Sequence, residues 1–343
     1  MTAPAAPANS SPPIDLDQVT SQKWGPSEWF GKEVATASGP ERLKLAKDAL
    51  LASKEAGHDC PHLTALTGVT TPCSKAGGVC AVQRYSQTAS GGINLAGHRV
   101  AICPSRLVTK DVLLEIAKKV LGLSSGVVLV KEVPYSLNMT KVKKSGEPAW
   151  AGRIDWLLVS ESDPSCFVAV ETQSVYMSGK TQDGTFNAFI NANGALTMPP
   201  EYRHPDYKSS VPKRLAPQLE SKARHLSSTS RKTVVIVDEF VRANMSALVE
   251  IPVPKGYADN PARADKHKLD SCQVIFAIVS LENGLLTLSE LLYCTIDAAK
   301  AALDAVGPMP QAEFEKVVRQ MVGTDDAKGR PKKRLAHKVF KLS

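Results

Sequence analysis

Long apolar runs are missing from this sequence, and no stretch approaches the roughly 20 residues that a membrane-crossing helix needs. The opening MTAPAAPANSSPPID has neither a basic head nor an apolar stretch, so it reads as neither anchor nor secretory signal, and the expectation is a cytoplasmic protein. Paired CxxC knuckles are also absent. The seven cysteines are an odd number, which argues against a disulfide framework and leaves metal ligation, catalysis or packing. No internal repeat occurs at the usual periods, which excludes a solenoid or propeller. Acidic residues are the scarcer sign, 34 against 42 basic, and the net charge of +8 favours polyanionic partners without choosing among them. An apolar content of 43% is that of a globular protein with a substantial core.

Residues 1–20, rich in Pro, Ala and Ser, read as a flexible leader. Helical spacing over 40–56 stops at Gly57. From 57 to 106 the chain is rich in Gly, Thr and Pro and holds four of the seven cysteines. Such a segment has little to bury, and in a reducing compartment its staple is generally a metal. From Thr109, which can cap a helix to about 121, the pattern is a regular mixed domain. Strand signals fall at 126–133, 153–160, 167–173, 232–240 and in CQVIFAIVSL. A polar loop is expected over 177–212, with helices over 214–227, 288–304 and 311–322. The expected architecture is α/β, a mixed central sheet flanked by helices. The divisions are a leader (1–20), an N-terminal helix and four-cysteine module (21–106), a larger domain (107–325) and a basic tail (326–343).

Two apolar runs, GRIDWLLVS and FVAVETQSV, each contain a carboxylate, Asp155 and Glu171. Strand alternation puts Glu171 and Gln173 on one face. If the two strands pair, Asp155 and Glu171 converge, and two close carboxylates call for a hard divalent cation such as magnesium. That arrangement suits phosphodiester hydrolysis, because the ion activates water and neutralises charge on the phosphate. Gln173 would stand beside the attacking water. Glu132, an oddity in the run GVVLVKEV, is a fourth candidate, ahead of Glu115, which lies level with Lys118 and Lys119 on its helix. The competing plain reading is that these acids cap solvated strand ends.

Cys60, Cys73, Cys80 and Cys103 are separated by twelve, six and twenty-two residues, and Pro61 and Pro104 each follow a cysteine. Four thiolates make a closed tetrahedral site for zinc or a single iron, structural because no position stays open. His58 and His62 flank the first cysteine. Cys166, Cys272 and Cys294 sit in or beside apolar runs and read as packing. Two basic segments, NMTKVKKSG and the tail KGRPKKRLAHKVFK, can meet phosphates.

The motifs HDCPH, TTPC, GGVC, AICPS, GRIDW and VETQS together resemble the NotI-type restriction endonucleases. They carry a PD-(D/E)XK nuclease core in its variant with Gln in place of the usual Lys, although Ile154 stands where that core's Pro would be. The resemblance implies a bacterial homodimeric type II enzyme cutting double-stranded DNA at a GC-rich palindrome. Asp155 and Glu171 would hold magnesium, Gln173 would replace the lysine, and Glu132 would assist. It further implies an iron on the four cysteines, with zinc as the alternative. A cognate DNA methyltransferase is expected in the host, but not as a physical partner. The rival readings are a non-enzymatic, metal-stabilised DNA-binding regulator and a repair or mobile-element nuclease of the same fold.

Overall fold

The computed structural model describes residues 19–52, 58–88, 90–179, 182–257, 259–304 and 309–322. Residues 1–18 of the expected leader (1–20) and the whole basic tail (326–343) lie outside the described residues, while residues 19 and 20 open β1. The chain begins with β1 (Val19–Trp29), β2 (Lys32–Glu33), α1 (Gly39–Ala52), α2 (Pro61–Thr67), β3 (Val79–Thr88) and β4 (Ile93–Ala101). It continues through α3 (Lys110–Leu121), β5 (Val127–Val142), β6 (Pro148–Ser160), β7 (Phe167–Thr172), β8 (Tyr176–Met177), α4 (Asp183–Asn191) and β9 (Pro205–Asp206). Then come α5 (Tyr207–Gln218), α6 (Arg224–Ser227), β10 (Thr233–Asp238), α7 (Glu239–Asn244) and α8 (Pro261–Ser271). The strands β11 (Val274–Glu282) and β12 (Leu285–Cys294) and the helix α9 (Ile296–Leu303) complete this compact unit. The remainder forms a separate unit whose described element is α10 (Gln311–Val322).

The central sheet has six strands in the order β12-β11-β10-β7-β6-β5. Its middle strands β7, β10 and β11 are parallel, and its outer pairs are antiparallel. The mixed sheet flanked by helices agrees with the α/β expectation. Every residue of β10 is buried, which is why TVVIVD reads as a continuous apolar run: a parallel strand is covered on both faces. Val234 and Ile236 pack with Val112, Leu113 and Ile116 of α3. Val235 and Val237 face the opposite way, toward Val211 and Leu215 of α5 and Leu303 of α9. The helix α3 is fixed at both ends: Thr109 accepts from the Val112 N–H, and Gly122 closes it in the left-handed conformation.

The segment 57–106, expected to bury little, instead supplies β3 and β4 of a second, antiparallel sheet, β2-β1-β3-β4, whose other two strands precede it in the chain. Trp29 and Tyr85 are fully buried there, and Trp29 sits 5.4 Å from Phe186 and 5.1 Å from Phe189 of α4. Both aromatics belong to the same cluster as Val235, Val237 and Phe276 of the central sheet, so one core runs across 106/107. The motif GGVC has a steric basis. A Cβ on Gly78, which has φ +63, would meet the Phe30 ring at 2.0 Å.

Three other elements depart from the sequence reading. The loop expected over 177–212 contains α4, whose Phe186 and Phe189 are buried, while polar neighbours dilute its apolar signal. The helix expected from 288 begins as β12, because Asn283 (φ +48) and Gly284 (φ +76) form a tight hairpin turn after β11. The helix expected over 214–227 starts earlier, at Tyr207, where the Asp206 side chain accepts from the Ser209 N–H.

Candidate active site

The β6–β7 ladder includes the pair Trp156↔Val170, which brings Asp155 and Glu171 to the next rung of neighbouring strands. Asp155 Oδ2 accepts two hydrogen bonds, from the Thr172 N–H and from Thr172 Oγ1, both at 3.0 Å. The Asp155 N–H lies 3.4 Å from Glu171 Oε1. On its other side Glu171 Oε2 accepts from Lys222 Nζ at 2.8 Å. Glu171 is only 2% exposed. Burial, and after it the charge of Asp155, push its pKa up to about 7 in spite of Lys222.

Lys222 is a functional residue that the sequence motifs miss, although a signal is present. Leu215, Leu219 and Leu226 form a buried stripe at helical spacing, and Lys222 occupies the position between the last two. A lysine on an apolar stripe needs an anion. It lies in a π-helical turn, Leu219–Ala223, between α5 and α6, and such turns commonly mark functional sites.

Asp155, Thr172 and Gln173 line a cleft of about 360 Å³, together with Lys75, Lys131, Glu132 and Arg214. Gln173 is buried, and its Nε2 donates to the Ser174 carbonyl at 2.6 Å. Glu132 reaches the cleft from β5 with φ +55, and its carboxylate is 2.7 Å from Arg153 Nη1 and 3.4 Å from Lys131 Nζ. Glu115 lies on α3, exposed and 3.7 Å from Lys119, and does not line the cleft. Arg214 donates to the Tyr176 hydroxyl at 2.7 Å and stacks 4.1 Å over that ring.

One wall of the cleft comes from the cysteine-bearing segment, through Ser74, Lys75, Cys103 and Ser105. Backbone bonds bring the segments around Cys60 and Cys73 together, and join Cys103 to Cys80 directly. The Cys60 N–H donates to the Thr71 carbonyl and the Cys73 N–H to His58, while the Cys103 N–H donates to the Cys80 carbonyl at 3.2 Å. Cys60, Cys80 and Cys103 are buried, Cys73 is half-buried, and all are free thiols. Burial pushes the Cys73 thiol up, and the nearby Cys60 and Cys103 add to the shift. Burial lowers the pKa of Lys75 against the pull of Cys103, Cys80 and Cys73.

Among the described residues, the donor atoms that close to within 4.8 Å of one another are those of Glu28, His62 and Cys80, not the four sulfurs. Glu28 is already compensated, by Arg106 Nε at 2.7 Å and His62 Nε2 at 2.8 Å. Burial alone would raise its pKa, but His62 and Arg106 together hold it below the ordinary carboxylate value. Arg106 also donates to the Gly284 carbonyl at 2.8 Å, so the cysteine segment is clamped to the β11–β12 turn.

No helix among the described residues is long and apolar enough to cross a membrane. Among curated proteins none matches the chain. The family model of restriction endonuclease NotI matches residues 44–259, more than half of the chain, and spans the cysteine segment, Asp155, Glu171 and Lys222. With that match over this cleft, the chain belongs to the NotI restriction endonuclease family and is a type II site-specific deoxyribonuclease.

Proposed function

We propose that this chain hydrolyses phosphodiester bonds of double-stranded DNA with magnesium, as a homodimer acting on a GC-rich palindromic site. The palindrome and the dimer rest on the family's pattern, since a twofold-symmetric site is met by a twofold-symmetric protein. The observation that carries the chemistry is the approach of Asp155 and Glu171 on adjacent strands beside a cationic cleft. Hard carboxylate oxygens suit magnesium, and Asp155 and Glu171 are the residues that would hold it. When bound, the ion supplies charge neutralisation at the scissile phosphate and acidifies the attacking water.

The chain's own residues do the rest. Thr172 fixes Asp155 through Oδ2, while Lys222 holds Glu171 through Oε2 and the Asp155 N–H meets its Oε1 more loosely at 3.4 Å. Lys131, Lys75 and Arg214 match the charge of the DNA backbone. Gln173 spends its amide N–H on Ser174, which leaves its Oε1 to accept from water, and Glu132 assists from the facing strand. On this reading the six-stranded sheet is the PD-(D/E)XK core.

The cysteine segment is read as a structural metal module in which Cys60, Cys73, Cys80 and Cys103 hold iron, or zinc in its place. Support comes from the donor chemistry, four thiols of which Cys80 and Cys103 share a backbone bond and Cys73 lies near enough to Cys60 and Cys103 for them to raise its pKa. The metal would act there as a cross-link.

Incubation with a GC-rich plasmid and magnesium tests the proposal. Discrete fragments with ends at one palindrome are expected, and Asp155→Ala or Glu171→Ala should abolish them while DNA binding persists. Bound but intact plasmid would identify the regulator instead, and scattered ends the repair or mobile-element nuclease.

A further inference from the structure

The strands that carry Glu132 and Asp155 do not stop at the sheet. The β6–β7 register ends at Trp156↔Val170, yet β5 and β6 continue to pair outward through Ser136↔Ala151, Leu137↔Trp150 and Val142↔Pro148. Beyond that point the structure is a two-stranded ribbon, with no third strand paired to it among the described residues. Its side chains are largely exposed, including Leu137 at 56%, Trp150 at 66% and Val142 at 71%. Exposed apolar side chains on an unsupported ribbon mark a surface that meets a partner.

Charge identifies the partner. The ribbon carries Lys141, Lys143 and Lys144 against the single acid Glu147, and Lys143 lies 4.4 Å over the Trp150 ring. A second copy of the chain would bring these lysines toward their own equivalents about a twofold axis, which like-charge repulsion opposes. A nucleic-acid duplex offers the opposite charge, and the major groove is wide enough to admit a two-stranded ribbon.

We infer that residues 137–150 form an arm that lies in a groove of the duplex flanking the scissile phosphate. The inference rests on the DNA-cutting reading above and adds a DNA-contacting surface to it. Its reach follows from the strand itself. At about 3.3 Å per residue Trp150 lies roughly 16 Å along β6 from Asp155, about five base pairs from the cut. The lysines meet backbone phosphates, and the Trp150 ring packs on a base or sugar.

The test uses full-length wild-type protein, the triple variant Lys141→Ser/Lys143→Ser/Lys144→Ser, and Trp150→Ser. Each is titrated onto a duplex holding the mapped cleavage site, with calcium replacing magnesium. Each lost phosphate contact removes about 0.9 from the slope of log K against log salt, so the triple variant should lose about 2 to 3 per protomer. Trp150→Ser should weaken binding roughly tenfold. The hydroxyl-radical footprint should shorten about five base pairs from the cut, with the melting temperature unchanged. If the wild type binds and cuts while the triple variant keeps its slope and footprint, the arm is refuted and the nuclease stands. A triple variant that sediments as a monomer with an unchanged slope per protomer would make the arm a dimer contact and also overturn the inference. Failure of the wild type to bind any duplex would remove the DNA-cutting reading together with the arm.

Discussion

Replacing Lys222 by Met would strip the buried Glu171 of its cation and leave it beside Asp155. At the observed 2.8 Å, and with an effective dielectric of about 20, the lost attraction is about 6 kcal/mol. Part of that offsets the cost of holding both ions out of water, so the net loss of stability should be about 3–5 kcal/mol. The measurement is urea unfolding of metal-free protein at a pH above 8, where Glu171, at about 7, is ionised. Glu171→Gln alone should also destabilise, because it leaves Lys222 unpaired. The double variant should regain most of the loss, with an interaction energy of about 3 kcal/mol in the cycle. A Lys222→Met protein within about 1 kcal/mol of wild type, or a double variant as unstable as the sum of the singles, would refute the pairing.

Other expectations are independent of that pair. Asp238 is fully buried; its Oδ2 accepts from the Ala101 N–H at 2.8 Å and its Oδ1 from the Val241 N–H at 2.9 Å. Burial raises its pKa from 3.8 to about 6. The folded state therefore holds more protons than the unfolded one between those values, and this group's contribution falls as pH rises across the window, by about 3 kcal/mol. Asp238→Asn removes that dependence, so the variant should gain about 3 kcal/mol relative to wild type between pH 4 and pH 7; a constant difference across that range would contradict the assignment. Trp29→Ala should cost about 3–5 kcal/mol, read as a drop in the denaturation midpoint. Purified protein should carry one structural metal per chain by elemental analysis, and Cys73→Ser should lose it together with thermal stability. A metal-free wild type, or an unaffected variant, would count against the cysteine site.

Several parts of this arrangement were legible in the sequence because they depend on local pattern. Asp155 and Glu171 stand out as charges inside apolar strands, and Thr109 announces α3. The hairpin at Asn283–Gly284 carries a turn signal of the same local kind, yet the apolar run after it also has helical spacing. Lys222 was hidden because a lysine in an amphipathic helix ordinarily faces water, and only the stripe of Leu215, Leu219 and Leu226 gives it away. The four-stranded sheet was the least accessible. β1 is polar and interrupted by Pro26, and its main partner β3 lies some 60 positions away, so the pairing depends on contacts that no sequence window contains. The distinction between a sulfur site and the Glu28, His62, Cys80 group is likewise spatial, since cysteine spacing reveals nothing of Arg106.

The shared core of Trp29, Tyr85 and Phe276 has a practical corollary for anyone hoping to engineer this nuclease. The cysteine-bearing portion is not a cassette: excising it would open the core that its aromatics share with the central sheet and its helices, and transplanting it would carry away aromatics with nothing to cover them. Chimaeras between relatives should tolerate exchange in the projecting β5–β6 ribbon far better than at any junction near residue 106.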